Sequence, residues 1–374
     1  MRFGVKTSQQ IKTVVLIVLI GALILYGINF LCGLVVKNQY VAVDLIGEKT
    51  AQDSFGYFRP NQDKIILFPG IKPYKVNIDA LGLRFNGWKK DLTLKDIEDK
   101  YKILAIGDSI TFGLNIHDED TYPYRLQEIF LNEAKEAVVL NAGIGSATIT
   151  DYLYYLQEKG LALQPDLVIV NFSSNDLGEM ERRVPLYQKI IEENRFEFWR
   201  TIKLTKFMRF FRKFGLQNRY RHWLKKIRDE RVREILRTQS QTMDDVTYVS
   251  VYHYGKAVTD PYHEELKEKW HRYFAALQSL HDFLKEENIN FLFIIHPDIV
   301  TVFDKAKHNY QDLLRHYLNQ MGIAYVDPLP VIKARRHEYL KLYNQLLRDF
   351  HLSGYGNQIL AEAIYNQIKD RIPK

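Results

Sequence analysis

Residues 101–109 read Tyr-Lys-Ile-Leu-Ala-Ile-Gly-Asp-Ser. The first six form an almost continuous apolar run that stops at a glycine, a pattern typical of a strand buried on both faces of a parallel sheet. In an open α/β sheet, ligands bind at the carboxyl ends of such strands. The stretch therefore predicts an α/β fold and places Asp108 and Ser109 at a candidate site.

The chain after residue 100 alternates between predicted strands and helices. Apolar runs predict four more strands, at 137–140, 167–172, 290–295 and 323–326. Helices are predicted from Thr121 to about Ala134, from Ile149 to Lys159 with Gly160 closing it, from about Glu264 to Glu287, and from Ser353 to Ile368. This alternation predicts a parallel five-stranded sheet with helices on both faces.

Polar residues at the predicted strand ends indicate acyl transfer at a serine. A serine hydroxyl needs a base to accept its proton, and His351, just before the last predicted helix, is the candidate. Asp349 is close enough in sequence to orient the imidazole. The backbone N–H groups of Ser109 and Gly143, with the side-chain amide of Asn175, are candidate donors to the oxyanion.

These residues resemble a known family. Gly107-Asp108-Ser109, Gly143, Asn175-Asp176 and Asp349-x-His351 resemble, in the same order, the four blocks of the SGNH (GDSL) hydrolases. Over about residues 100–370 the resemblance implies a flavodoxin-like three-layer sandwich with strand order 2-1-3-4-5. It also implies that Ser109 is the nucleophile, that Gly143 and Asn175 complete the oxyanion hole, and that no metal or other cofactor is needed.

Two positions depart from the family pattern. Ser173 stands where the third block usually has glycine. In the last block, Arg348 occupies the usual aspartate position and Asp349 lies one residue closer to His351, a spacing similar to that of the alginate O-acetylation branch. The alternative to a triad is a dyad of serine and His351 held by a backbone carbonyl. A further histidine, His296, follows the fourth strand and is a candidate to line the site.

Residues 13–36 form an uncharged apolar run long enough to cross a bilayer. Arg2, Lys6 and Lys12 precede the run, and the first acidic residue of the chain is Asp44. The positive-inside rule therefore predicts a single-pass membrane protein with residues 1–12 in the cytoplasm and the remainder exported. The alternative is a cleaved signal peptide.

Two segments lie outside the predicted α/β alternation. Residues 38–100 are interpreted as a lead-in region packed on a main domain of residues 101–374. Residues 180–260 are interpreted as a helical cap inserted into that domain. Within this cap, residues 195–237 carry 15 Lys/Arg against 4 Asp/Glu, interleaved with aromatic residues. Such a segment suits an anionic membrane surface, an anionic glycan, or a solvated cap over the sheet.

Composition narrows the classes of function. Apolar residues make up 46% and charged residues 26%, which argues against extensive disorder. The one cysteine, Cys32, excludes an internal disulfide. The formal charge of +7 is concentrated in the cap, which the predicted anchor places outside the cytoplasm, so no nucleic-acid partner is expected.

The leading hypothesis is an exported serine esterase or O-acyltransferase acting on an acylated cell-envelope substrate. A glycan substrate is favoured by family resemblance, because related anchored members often act on polysaccharides. One alternative is a membrane-surface lipase or lysophospholipase with a membrane-lying cap. The other is a non-catalytic scaffold or glycan-binding protein of the same fold, which the displaced aspartate would favour.

Overall fold

The computed structural model describes residues 13, 16–17, 20–21, 58–66, 74–145, 147–178, 180, 256–304, 306, 309–343 and 351–373. The sheet and its helices belong to a unit formed by residues 40–192 and 236–374. Of the other unit, residues 1–39 with 193–235, the described positions are the five in the N-terminal segment, and they are helical.

Five parallel strands form the central sheet. They are β3 Tyr101–Ile106, β4 Ala137–Asn141, β5 Leu167–Phe172, β6 Asn290–Ile295 and β7 Ala324–Val326. Their spatial order is β4-β3-β5-β6-β7, which confirms the predicted parallel sheet and its order of 2-1-3-4-5. Every residue of β4 and β5 is buried, in keeping with apolar runs covered on both faces.

Helices lie between the strands along the chain. They are α1 Ser109–Phe112, α2 Tyr122–Asn132, α3 Ile149–Tyr155, α4 Lys256–Thr259, α5 Glu264–Glu286, α6 Ile299–Val302, α7 Tyr310–Met321, α8 Leu329–Ala334, α9 Tyr339–Leu342 and α10 Gly354–Ile368. Because β4 and β5 flank β3, right-handed connections place α2 and α3 on opposite faces of the sheet. Accordingly α2 packs on α10 and α3 packs on α5.

Shorter helical turns extend or link these elements. A π turn, Leu156–Gly160, continues α3, and single 3₁₀ turns lie at Leu94–Ile97, Asp118–Asp120, Leu161–Leu163, Arg336–Glu338 and Lys369–Arg371. Helix α5 covers its face of the sheet with aromatic side chains. Phe172 of β5 contacts Trp270 and Tyr273 of α5, with ring centroids 5.8 and 5.3 Å apart.

An antiparallel hairpin precedes the sheet. Its strands are β1 Gln62–Ile66 and β2 Tyr74–Ile78. The side chain of Asp118, in the loop after α1, accepts hydrogen bonds from the backbone and side-chain nitrogens of Asn77, at 3.0 and 2.6 Å. A single bridge joins Arg84, beyond the hairpin, to Asn141 at the end of β4. The described part of the lead-in is thus bound to loops at the carboxyl edge of the sheet.

Several predicted segments lie outside the described residues. Most of 13–36 and almost all of the cap at 180–260, including the basic stretch 195–237, belong to them. Among the residues that are described, no helix is long and apolar enough to cross a membrane. The anchor, the cap and their boundaries therefore stay predictions.

Candidate active site

Ser109 is the first residue of a tight helical turn at the end of β3. The preceding residue, Asp108, caps this turn, and its carboxylate accepts a hydrogen bond from the Ile110 N–H at 2.9 Å. Gly107 permits the close fold of the turn, because a Cβ there would lie 2.1 Å from Oγ1 of Thr111. The half-buried Ser109 hydroxyl is thereby presented at the carboxyl edge of the sheet.

His351 reaches the same edge from the opposite end of the chain. It directly precedes Leu352, which forms a bridge with Tyr343, and Ser353, which caps helix α10. Nε2 of His351 is 2.8 Å from Oγ of Ser109. With a neutral imidazole protonated on Nδ1, this contact is an O–H group donating to Nε2, the arrangement that general-base activation of a serine requires.

Gly143 lies directly against the serine turn. Hydrogen bonds of the neighbouring Ala142 and Ile144 N–H groups, to the carbonyls of Ala105 and Gly107, extend the β3–β4 pairing past the strand ends. A Cβ at Gly143 would lie 2.1 Å from the backbone nitrogen of Phe112, so only glycine fits. Its N–H donates to Oδ1 of Asn141 at 3.1 Å, and an oxyanion bound here would share that donor.

Asn175 follows β5, next to β3 in the sheet. Its side-chain oxygen accepts a hydrogen bond from the Ser173 hydroxyl. The amide nitrogen on the other side of the group then points away from Ser173 and can donate to a different acceptor. Ser173, the departure from the family glycine, thus orients Asn175. The three predicted oxyanion-hole residues follow three adjacent strands, β4, β3 and β5.

Two buried carboxyl groups lie beneath these loops. Asp108 and Asp176 are fully buried, and Asp176 accepts a hydrogen bond from the Ser173 N–H at 3.4 Å. Burial raises the pKa of Asp108, while the Ile110 N–H and the charge of His351 oppose that rise. The same attraction favours the imidazolium that forms when His351 takes a proton.

His296 is a second histidine close to the site. Burial lowers its pKa to about 3, with a smaller contribution from the charge of His351, so its imidazole is neutral at physiological pH. Its carbonyl accepts a hydrogen bond from the Tyr310 hydroxyl at 2.5 Å. That hydroxyl also accepts from the Asp298 N–H at 2.7 Å, which fixes the loop after β6.

Two further predictions for the site concern Asp349 and metal binding. Asp349 belongs to 344–350, outside the described residues, so its place behind His351 stays a prediction. Across the described part of the chain, no group of three His, Cys, Asp or Glu side chains is arranged to hold a metal ion.

Two polar residues of this edge, Asp298 and Arg84, are not predicted from the sequence. Asp298 accepts a hydrogen bond from the Ser174 hydroxyl at 3.4 Å. Its position just after a predicted strand could have indicated that it lies at this edge of the sheet. Arg84 is fully buried and contacts the turn that begins at Ser109. No motif or spacing marks it in the sequence.

Two solved structures illustrate what the chain is similar to. A catalytic mutant of Axe2, an acetylxylan esterase from Geobacillus stearothermophilus, is 18% identical, with a TM-score of 0.37 over 72% of this chain and 94% of that one. The lipase/acylhydrolase from Enterococcus faecalis is 14% identical, with a TM-score of 0.39 over 73% and 98%. No curated protein matches the chain.

A family profile gives the decisive comparison. The profile described as the GDSL-like Lipase/Acylhydrolase family matches residues 105–298, a little over half of the chain. The matched range begins in β3 and includes Ser109, Gly143 and Asn175, although His351 lies beyond it. With the expected sheet order and the serine turn in place, the chain belongs to the GDSL-like lipase/acylhydrolase family.

Proposed function

We propose that this chain is a serine-dependent esterase, or an O-acyltransferase, that acts on an acylated cell-envelope substrate, with Ser109 as nucleophile and His351 as base. The observation that carries the proposal is the 2.8 Å contact between Oγ of Ser109 and Nε2 of His351. Membership of an acylhydrolase family supports the class of reaction.

The reaction would proceed in two acyl-transfer steps. Ser109 attacks the ester carbonyl as His351 takes the hydroxyl proton, and the N–H groups of Ser109 and Gly143 with the Asn175 amide stabilise the oxyanion. Collapse releases the alcohol, protonated by His351, and leaves an acyl-serine. Water or a sugar hydroxyl then attacks this ester with His351 again as base, which yields a free acid or an acylated acceptor. In this proposal Asp349 stabilises the imidazolium.

Replacing Ser109 with alanine tests the nucleophile. Ser109→Ala is expected to lower kcat for an acetyl ester by a factor of at least about 10³, because it removes the hydroxyl that contacts Nε2 of His351. The measurement is p-nitrophenyl acetate hydrolysis with a fluorophosphonate label as a second readout. The matched control is Ser279→Ala on the exposed face of α5. Turnover and labelling that survive in Ser109→Ala would overturn the assignment and favour the non-catalytic scaffold.

The proposed setting is the outer face of a membrane, with residues 13–36 as a single-pass anchor. The uncharged apolar run and the cations before it support this orientation. Alkaline phosphatase fused after Lys374 is expected to be active and membrane-bound in cells, and released once residues 1–36 are replaced by a cleavable signal peptide. An inactive fusion would place the body in the cytoplasm instead.

The substrate class is proposed to be an acylated glycan. The basic cap also fits the alternative, a lipase that acts at an anionic membrane surface. Residues 195–237 suit an anionic lipid surface as well as an anionic glycan. Release of acetate from acetylated oligosaccharides, compared with fatty acid release from lysophospholipid vesicles, separates the two. Preferential release of fatty acid would replace the glycan proposal by the lipase alternative, and acetyl transfer to an added sugar would identify an acyltransferase.

A further inference from the structure

Arg84 is the most deeply enclosed cation among the described residues, with no exposed side-chain surface. Its Nε donates to Oδ1 of Asp118 at 2.9 Å. Its Nη1 donates to the carbonyls of Phe112 and Gly113, the latter at 2.5 Å, and Nη2 donates to the Ile116 carbonyl at 2.7 Å. A buried guanidinium is stable only when its charge is paired and its donors are satisfied, so these contacts favour a defined arrangement of its partners.

Two of the carbonyls that Arg84 binds, those of Phe112 and Gly113, belong to the end of the turn that carries Ser109. Helix α1 is a single turn, and the last carbonyls of a helix have no partner within it. Gly113 ends the turn in a left-handed conformation, with φ of 80°. A Cβ there would lie 3.0 Å from Nη1 of Arg84, so the guanidinium is packed directly against the end of the turn.

Arg84 also contacts the end of β4, from which the chain continues into the loop that holds Gly143. Its backbone N–H donates to the Asn141 carbonyl at 3.0 Å. The side chain of Asn141 in turn accepts the Gly143 N–H at 3.1 Å. One residue of the lead-in is therefore bonded through its side chain to the serine turn and through its backbone to the loop of the predicted oxyanion donor.

An isolated helical turn does not hold itself in place. Forming one turn fixes several dihedral angles for few hydrogen bonds, so the direction of Ser109 depends on what clamps both ends of α1. Asp108 clamps the first end and Arg84 the second. Small errors in the position of a reacting group reduce rates by as much as about 100-fold.

We propose that Arg84 is a positioning residue, which holds the Ser109 turn against the Gly143 loop so that Oγ faces His351 and the oxyanion donors together. The inference rests on the proposed function, in which Ser109 is the nucleophile. Asp118 fixes the guanidinium, because its other oxygen accepts two hydrogen bonds from Asn77. The lead-in, which lies outside the family match, thereby contributes to the geometry of the site.

Arg84→Lys and Asp118→Asn test the proposal in the full chain. Lysine keeps the charge but loses the fork of donors, and asparagine keeps the shape but loses the charge that fixes Arg84. We expect kcat for p-nitrophenyl acetate and the rate of fluorophosphonate labelling to fall about 10- to 100-fold in Arg84→Lys, and less in Asp118→Asn. KM is expected to stay within about twofold, since the substrate contacts are kept.

Lys102→Met is the matched control. Lys102 is another buried cation, paired with Asp166 at 3.8 Å near the start of β3, away from the carboxyl edge. This variant is expected to lose thermal stability while its kcat stays near that of the native chain. Assays run well below the lowest Tm separate positioning from unfolding.

Two results would overturn the inference and leave the proposed function standing. Native kcat and labelling rate in both Arg84→Lys and Asp118→Asn would overturn it. So would an equal loss of kcat in Lys102→Met, because the effect would then be one of general stability. If Arg84→Lys does not fold, the kcat and labelling rate of Asp118→Asn alone test the inference. Native turnover in Ser109→Ala would instead refute the proposed function, whatever the Arg84 variants do.

Discussion

At the scale of single residues, Ser109 and His351 meet across 242 positions of sequence. Each is fixed by its own neighbours in the chain: Asp108 caps the turn that begins at Ser109, and Ser353 caps the helix that follows His351. The two residues are thus held by two local caps and by the sheet that brings them together. The local sequence explains each cap, and the sheet topology explains why Ser109 and His351 come into contact.

Gly143 gives a prediction with an internal control. In Gly143→Ala the added methyl would lie 2.1 Å from the Phe112 nitrogen and 2.6 Å from the Thr111 carbonyl carbon, both backbone atoms that cannot move cheaply. We expect kcat/KM for an acetyl ester to fall at least about 100-fold as the donor and the serine turn separate. Gly145, two residues on, has open space around its Cα and is exposed.

Gly145→Ala is therefore expected to retain activity within about twofold. Steady-state kinetics on both purified variants, with circular dichroism to establish folding, checks the pair. A folded Gly143→Ala with native kcat/KM would exclude Gly143 from the oxyanion site. A comparable loss in Gly145→Ala would mean that the whole loop, rather than the close approach at Gly143, controls the rate.

At the scale of elements, helix α5 shows how packing follows from the spacing of apolar residues. Its buried positions recur every three or four residues and form one face: Leu266, Trp270, Tyr273, Phe274, Leu277, Leu280 and Leu284. Leu280→Ala leaves a cavity on this face and is expected to lower the free energy of unfolding by about 3 kcal/mol. Ser279→Ala, one position away on the exposed face, is expected to change it by less than about 0.5 kcal/mol.

Urea unfolding of the two α5 variants measures this difference. Leu280 has no exposed surface, whereas the Ser279 hydroxyl donates to the Ala275 carbonyl one turn earlier. Equal stability of Leu280→Ala and the native chain would mean that α5 does not cover the sheet in solution.

The boundaries of elements could be predicted where local signals determine them. Strands β3, β5 and β6 have the predicted limits, because continuous apolar runs define buried strands. The predicted end of α3 at Gly160 is wrong. The helix continues as a π turn through Gly160, which keeps right-handed angles, and then as the 3₁₀ turn Leu161–Leu163, which ends at Gln164 in a left-handed conformation with φ of 51°.

Packing explains the error at Gly160. A Cβ there would lie 2.9 Å from Leu156 and 3.3 Å from Leu104 of β3, so the glycine allows the helix to approach the sheet rather than ending it. Sequence alone does not distinguish these two uses of glycine. The same limit applies to Arg84, whose partners lie 28 to 34 positions away, at the end of α1 and in the loop after it. The motif around Ser109 is contiguous in sequence and could be predicted. The Arg84 contacts that support it are distant in sequence and could not.

At the scale of the whole molecule, the chain reverses its winding direction at β3. The first crossover leads from β3 to β4 on one side, and the next returns to β5 on the other. Ligands of open α/β sheets bind at such a switch point, because the flanking loops diverge there. Ser109, Gly143 and Asn175 follow the three strands that form it, which accounts for their convergence from separate parts of the sequence.

The stability of the whole molecule is expected to depend on the protonation of Asp79. This carboxyl group is 3% exposed and accepts the N–H groups of Leu81 and Leu83, both at 2.9 Å. Burial, opposed in part by these bonds, raises its pKa from 3.8 to about 6. The folded state therefore holds a proton that the unfolded chain releases at lower pH, and this contribution to stability is lost as the pH rises through 6.

Asp79→Asn isolates that contribution, because the amide does not titrate. Between about pH 4.5 and about pH 7.5, the native chain is expected to lose about 2 kcal/mol of unfolding free energy relative to the variant. Urea unfolding of both proteins across this range measures the difference, in which the other titrating groups cancel. A constant difference would show that Asp79 titrates alike in both states. A difference of opposite sign would show that the backbone donors outweigh burial and hold the carboxylate charged.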